Sequence, residues 1–497
     1  MGPTHRIRRT TIAGLLVLVT ALLGACTVDG PGPGPGIGTG EGPVGLVRAG
    51  SCEALRELSA RVAVEDRGGA AIASAEGAPT TSAAAGRVVA GTNVQEAGVD
   101  ESDLVATDGR RIVAVSDGVL RVVDLDGTPA VDGRLDLRAA GATELLLDGD
   151  RALVVGENGE VTLTLVDLAA DGGPRVLRQR SVEGSLVAVR RHDGTTRVVV
   201  RSYPTPAAPM PLAEGAPLGE CRDVLVPEGA TAALDMAPAG RTTVLSPDPE
   251  LEDLRPVTVE APADAVYASP TSLYVAGATW DATGPRTAVH RFDLSGDGPA
   301  RYTGSGSVEG TLLDRYSLSE ERGDLRVVTT VQPSAAFMPA GPDGADANID
   351  QVVPVTRGRL TVLRPGADGT LDEVGRLDGL GPNEAVQAVR FMGERAYVVT
   401  FRRTDPLFAL DLADPTAPRV LGELKIPGFS EYLHPVGDGR LLGVGSDADP
   451  ATGAVTGAKI SLFDVSDPAA PRELDALVVP GARSEVADEP RAFTWDP

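Results

Sequence analysis

Nine residues near the C-terminus recur almost intact, and this repeat confines the fold more than any other feature. Asp411-Leu412-Ala413-Asp414-Pro415-Thr416-Ala417-Pro418-Arg419 is answered 53 residues later by Asp464-Val465-Ser466-Asp467-Pro468-Ala469-Ala470-Pro471-Arg472. The match continues through Leu424 and Leu477, Pro427 and Pro480, and Gly428 and Gly481. Fainter copies keep the same internal spacing at Asp167, Pro174, Arg175 and Gly184, and others lie at Asp293, Arg301 and Gly310. Each unit reads as a strand, a turn such as Leu147-Asp148-Gly149 or Met392-Gly393-Glu394, a buried strand, a third strand ending in a hydrophobic-Asp pair, and a fourth leading to the glycine. One four-stranded sheet cannot bury both faces alone, so a period of roughly 40 to 55 residues predicts radially stacked blades. The expected class is all-β: a β-propeller of seven to eight four-stranded blades, with a short N-terminal helix and a disordered tether. Blade starts fall near Leu104, Leu145, Leu186, Val266, Leu312, Val386 and Tyr432, with a fragment of an eighth at Glu485. Sixty glycines and 39 prolines suit such turns and exclude a mainly helical chain.

The N-terminus carries an export signal. Arg6, Arg8 and Arg9 precede an apolar run over residues 12–23 that is too short to span a bilayer. Leu23-Gly24-Ala25-Cys26 then resembles the bacterial lipobox, which implies cleavage after residue 25 and lipidation of Cys26; the alternative is an ordinary secretory signal with an incidental cysteine. Alternating Pro and Gly from Pro31 make residues 26–50 an extended tether. Helical spacing of Leu55, Leu58 and Val62 behind a Ser51 cap predicts a helix over 51–65. An Ala/Gly/Ser/Thr-rich connector over 66–91 leads into a propeller over 92–497. Cleavage shifts the net charge from -25 to -28, so acyl chains would hold at the membrane a body that anionic headgroups repel. The expected location is the extracytoplasmic face of a bacterial membrane. Outside the cytoplasm Cys52 and Cys221 can pair as a disulfide, or stay as two buried thiols.

Insertions rich in Pro, Ala and Gly at 202–229 and 332–350 read as solvent-exposed loops. With so acidic a chain, and lysines only at Lys425 and Lys459, nucleic acid is excluded as a partner.

Several long motifs appear in a fixed order. Thr92-Asn93-Val94-Gln95, Gly98-Val99-Asp100-Glu101-Ser102-Asp103 and Thr107-Asp108-Gly109 open the domain. Residues 389–401, 424–435 and 459–468 follow, the last beginning Lys459-Ile460-Ser461-Leu462-Phe463-Asp464. Together they resemble the β-propeller domain of a family of bacterial and archaeal secreted proteins distantly related to WD-repeat propellers. The resemblance implies architecture and little chemistry. It departs at Asp488-Glu489-Pro490, where a histidine usually follows the aspartate, and it implies a ring that continues past Pro497.

After cleavage the candidate general bases are His192, His290 and His434. His434, in Tyr432-Leu433-His434-Pro435, is the most interesting, with a blade-bound structural role as its competing reading. No nucleophile elbow, zinc-spaced set or phosphate loop is present. Asp346, Asn348 and Asp350 alternate as calcium ligands do but lack the glycine and glutamate of such a loop. Asp100, Glu101 and Asp103 are candidates to line the channel or hold a cation, against a turn-capping role. Arg403 and Asp405 follow a buried strand and could face the channel or pair within the blade. Trp280 and Trp495 are too few for a carbohydrate platform. No catalytic residue, metal ligand or cofactor is assigned. A binding or scaffold module, with a protein or small ligand at the propeller face, fits best. The alternative is a metal- or quinone-dependent hydrolase or oxidoreductase working at the channel.

Overall fold

Strand residues pair in short antiparallel runs, and the repeat sets their lengths. In the computed structural model the described residues are 45–65, 94–169, 172–228, 240–281, 284–332, 355–401, 405–437, 439–487 and 489–495. The chain divides into two units, Met1–Glu41 and Gly42–Pro497, and the second holds all of these residues. Among the described residues its strands form seven sheets.

In six of the sheets successive strands run outward from the inner edge; in the third blade Val257–Val259 lies inside Leu225–Pro227, and Val99–Glu101 is added at the inner edge. The first blade comprises Val105–Thr107, Arg111–Ser116, Val119–Asp124 and Ala130–Asp136. The second begins at Ala142–Asp148, the third at Ser185–His192, the fourth at Ala265–Ala268, the sixth at Ala385–Met392 and the seventh at Phe429–Pro435. The fifth has a divided inner edge: Thr311–Leu312 and Leu318–Glu321 both pair with Asp324–Val331, around a 3-10 turn at Arg315–Ser317. Glu485, where an eighth blade was expected to open, instead begins the 3-10 turn Glu485–Ala487, and a second follows at Pro490–Ala492. Pro490 supplies no amide for a ladder, and the Glu489 side chain caps the second turn through the Arg491 amide.

The repeat residues are staples between the third and fourth strands. The aspartate ending the third strand binds the arginine opening the fourth: Asp167 to Arg175 at 3.0 Å, Asp411 to Arg419 at 2.7 Å, Asp464 to Arg472 at 2.6 Å, and Asp293 to Arg301. The other carboxylate oxygen accepts the amide two residues on, at Ala169, Ser295, Ala413 and Ser466. Because the arginines are exposed, each ion pair is worth at most about 1 kcal/mol, and the repeat acts mainly by fixing the turn. The repeat glycine closes the unit at the next junction. Gly184 and Gly428 have φ of +127° and +81°, and a Cβ there would lie 2.4 Å from the Arg201 carbonyl oxygen and 2.5 Å from that of Ser446. Only glycine meets both demands.

Among the described residues, a hydrophobic cluster fills each of the six gaps between successive blades. Val113, Leu120, Leu145 and Val154 lie between the first and second, for example, and Tyr397, Leu407, Leu441 and Phe463 between the sixth and seventh. The far face of the seventh sheet carries Ile460, Leu477 and Val479, which are 38%, 59% and 46% exposed.

The N-terminal leader is built into the rim of the third blade. Leu46–Arg48 pairs with Leu225–Pro227, extending that sheet outward. The helix Cys52–Glu65 starts at Ser51, whose Oγ accepts the Ala54 amide, and it buries Leu55 and Leu58 against Met210, Val224 and Val226. Cys52 and Cys221 form a disulfide. The first insertion therefore differs from the expected solvent-exposed loop: Met210, Leu218, Cys221 and Val224 are buried, because the leader needs an apolar seat. Most of the second insertion, with Asp346 and Asp350, lies outside the described residues, as do Cys26 and the tether up to residue 44.

Candidate functional site

A cavity of about 540 Å³ lies where the inner strands converge. It takes residues from the innermost parts of the second to seventh blades, from Glu101 and Ser102 of the N-terminal segment, and from Glu489, Pro490 and Arg491 of the C-terminal one. A volume of this order suits a small molecule or a short peptide.

Four inner strands carry the same irregularity. Register slips between Ala142 and Glu144, Leu186 and Ala188, Val386 and Ala388, and Ser430 and Tyr432. The bulged residues are thus Thr143, Val187, Gln387 and Glu431, and bulges re-aim side chains at such rims. Three positions further along stand Leu146, Arg190, Arg390 and His434, with Tyr267 and Tyr316 at the matching spacing from Asp264 and Leu313. Two levels result, about 10 Å apart along the strands. The first carries Asp264 and Glu431, and the second Arg190, Arg390, Tyr267 and Tyr316.

The N-terminal segment threads this channel. Val99–Glu101 pairs antiparallel with the third blade's innermost strand, setting Glu101 opposite Arg190 and Asp100 opposite Arg191. Gln95 Nε2 donates to the carbonyls of Arg315 and Leu318, both at 2.9 Å, and Tyr267 donates its hydroxyl to Glu96 at 2.8 Å. Burial pushes the Glu96 carboxyl above its ordinary range.

Glu101 lines the cavity and binds Arg315 Nη2 at 2.9 Å, with Arg190 Nε at 3.8 Å. Asp100 accepts two bonds from Arg191, at 3.0 and 3.3 Å. Asp103 bridges backbone to backbone with Leu145 and accepts the Leu104 amide, and burial raises its pKa. These carboxylates therefore serve as arginine partners and turn caps. Arg403 lies outside the described residues. Asp405 opens the sixth blade's third strand, paired with Ile426, two strands out from the channel edge.

His434 sits on the innermost strand of the seventh blade, with Nδ1 3.2 Å from the Tyr432 hydroxyl and its ring 4.8 Å from Phe493. His192 Nδ1 lies 2.7 Å from the Gly98 carbonyl oxygen, and His290 Nδ1 lies 2.6 Å from Ser305 Oγ. Burial pushes His290 down to about 4; burial, with Arg390 adding to it, does the same to His434. Both rings are neutral in the fold, whereas unfolded rings gain a proton near pH 6.5. The unfolded state therefore binds more protons between about pH 6.5 and pH 4, and these histidines withdraw stability as pH falls through that window. In His290→Asn, the loss of stability over that interval should shrink by about 2 kcal/mol, read as the difference between urea titrations at its two ends. An unchanged difference would show that His290 gains its proton over the same pH range in the folded and unfolded states.

The residues that sequence reasoning missed are Glu144, Arg190, Arg315, Tyr316, Arg390 and Arg491. Arg491, on the C-terminal segment, reaches Glu144 of the second blade at 2.6 Å and Glu489 at 2.8 Å. Arg315 and Tyr316 enter the cavity because Asp314 caps the turn that interrupts the fifth blade's inner edge, accepting the amides of Tyr316 and Ser317. Arg390 stands with its guanidinium carbon 5.9 Å from the centre of the Tyr316 ring. Its Nε and Nη1, like Arg315 Nε, are buried without a hydrogen-bond partner.

Seven sheets arranged around an axial, polar cavity define a β-propeller with a ligand-sized central site. The chain matches the family described as "Beta propeller domain" across residues 89–497, and it belongs to that family. It is 40% identical over 192 residues to an uncharacterised protein of Methanocaldococcus jannaschii, which covers 39% of this chain and 27% of that one. It is also 40% identical over 193 residues to an uncharacterised protein of Archaeoglobus fulgidus, covering 39% and 26%. The chain thus spans about a quarter of the length of these relatives. Among solved structures, Hsv2 of Kluyvelomyces marxianus aligns over 75% of this chain and 95% of its own, at 10% identity and a TM-score of 0.36.

Proposed function

We propose that this protein is a lipid-anchored, extracytoplasmic β-propeller that serves as a binding or scaffold module, with its ligand or partner engaged at the channel. The observation that carries the binding role is the axial cavity, to which six blades and both ends of the domain contribute side chains. Glu101 and Glu144 are paired with arginines and Asp314 accepts turn amides, an arrangement suited to recognition. The anchoring part rests on the sequence: a positive n-region, a short apolar run and Leu23-Gly24-Ala25-Cys26, followed by a Gly/Pro tether. The acidic body would stand away from an anionic surface while acyl chains hold it there.

The anchor is tested by fractionation. Cys26→Ser should move the protein from the membrane to the soluble fraction, and a variant that stays with the membrane overturns the lipoprotein reading. The scaffold role is tested by crosslinking from intact membranes, where a partner should be captured through residues at the channel mouth.

A further inference from the structure

The fourth strand of the seventh blade is finished differently from its counterparts. In the first, fourth, fifth and sixth blades that strand bulges once, and the residue after the bulge is a glycine: Gly133, Gly304, Gly375 and Gly422. A Cβ at any of them would lie 2.6 Å or less from the turn by which the next blade enters its own fourth strand, at Pro174, Gly369, Pro415 and Pro468. Each of these strands is thus roofed by its neighbour. In the fourth blade the amide after the glycine, that of Ser305, donates to the Gly369 carbonyl at 3.0 Å. The seventh blade has the same bulge, at Leu474, but the next residue is Asp475. Its Oδ1 accepts the Ala476 amide at 2.9 Å, so the carboxylate takes the amide that a neighbour's carbonyl takes in the fourth blade. A further blade docked as these dock would drive its turn into the Asp475 side chain.

The rest of the strand stands open. Leu477, Val478 and Val479 are all exposed, and so is Ile460, paired opposite Leu477. Leu477 and Val479 share one face with Ile460 and Val478 lies on the other, so the edge is apolar on both faces. Residues 476–480 carry no charge, whereas the same part of the fifth blade's fourth strand has Arg376 and Asp378 and that of the sixth has Glu423 and Lys425. Charges keep sheet edges apart, and a long apolar edge is a template for another strand. Lipid is a poor occupant, because the outward amides and carbonyls of an edge find no partners in hydrocarbon. A second copy would bring a further net charge of -25 and a second Asp475. We propose that this edge takes an extended, basic segment of a partner protein as a fifth, antiparallel strand, its apolar side chains against Leu477, Val478 and Val479 and its cation at Asp475. A carbonyl of the arriving strand takes the Ala476 amide and frees the Asp475 carboxylate for that cation. The surface lies three strands out from the channel edge and does not depend on the channel's ligand.

The test is fluorescence anisotropy of the labelled, C-terminally amidated peptide Thr-Val-Val-Val-Thr-Lys titrated with the full Cys26→Ser chain. In the antiparallel register its lysine meets Asp475 while its valines meet Leu477, Val478 and Val479. The peptide should bind. A version with glutamate for lysine should bind about threefold more weakly, and one of unchanged charge with proline at its third position about tenfold more weakly, having lost a strand donor. Leu477→Lys should weaken the parent peptide about tenfold, and Asp475→Asn, which keeps an acceptor for the Ala476 amide, should narrow the gap between the lysine and glutamate versions. Unchanged thermal midpoints establish that both variants fold. Equal binding of the parent and proline versions, no binding of the parent at millimolar concentration, or no effect of Leu477→Lys overturns the proposal. A gap that Asp475→Asn leaves unchanged overturns the seat of the cation. Dimerisation of the protein alone in sedimentation equilibrium, abolished by Leu477→Lys, assigns the edge to a second copy and overturns the basic partner.

Discussion

Replacing both Cys52 and Cys221 by serine should release the leader from the third blade and remove about 5 kcal/mol of stabilisation. The bond closes a loop across 169 residues, and the chain-entropy estimate for a loop of that length is about 5 kcal/mol. What remains to hold the leader is modest: the three-residue strand Leu46–Arg48 with Leu46 buried, the exposed Arg48–Asp223 ion pair, and the buried helix residues Leu55 and Leu58. Three strand residues and one helical face do not compensate for ordering some twenty residues at about 1 kcal/mol or more each. Tryptic cleavage after the exposed Arg56 should therefore accelerate sharply in the double-serine variant, or in the parent protein under reductant. The blades themselves should resist as before. Cleavage at the parent's rate would mean that strand and helix hold without the covalent link.

Arg241→Ala should destabilise the third blade by about 3–5 kcal/mol. Arg241 is wholly buried, and its Nε and Nη2 reach Glu260 Oε2 at 2.7 and 2.5 Å while Nη1 donates to the Pro209 carbonyl. Removing the cation strands a carboxylate whose side chain is only 3% exposed, and an uncompensated buried charge accounts for most of that penalty. Burial already raises the Glu260 pKa, so the single variant should bind a proton there and lose stability further as pH rises. Arg241→Met combined with Glu260→Leu should regain most of the loss, because well-packed apolar residues often replace a buried pair without penalty. Urea midpoints of the single and double variants check this. Equal midpoints would show that the buried charge is not the source of the effect.

The architecture was legible because its signals are local. Asp411, Pro418, Arg419 and Gly428 lie within one hairpin and one junction, so their spacing repeats wherever that hairpin does. The positive φ of Gly428 and the Asp411–Arg419 staple are what the repeat encodes. The channel was less legible because it is assembled from distant residues. Arg190 and Arg390 occupy equivalent places only once a bulge at Val187 and at Gln387 has shifted the register, and no local pattern marks a bulge in a valine-rich strand. Arg315 was hidden in a turn that looks like a short linker until Asp314 is seen to cap it. The recurrence of an arginine three residues after each of two bulges was the available signal. Asp100, Glu101 and Asp103 stood out in the sequence by density of charge, and their partners, Arg191, Arg315 and Leu145, could not be read from the same stretch.

The segment that threads the channel also fixes an order of events. Gln95 binds carbonyls 220 and 223 residues further on, and Glu96 meets Tyr267 across 171. Contacts of such separation close late, after local hairpins have formed. The first stretch of the propeller to be synthesised is thus among the last to be fully seated, since its partners extend from the second blade to the fifth. A chain halted before the fifth blade would have nothing for Gln95 to grip, and its bore would stand open. Docking of residues 94–103 acts as a latch that registers a ring complete through its fifth blade.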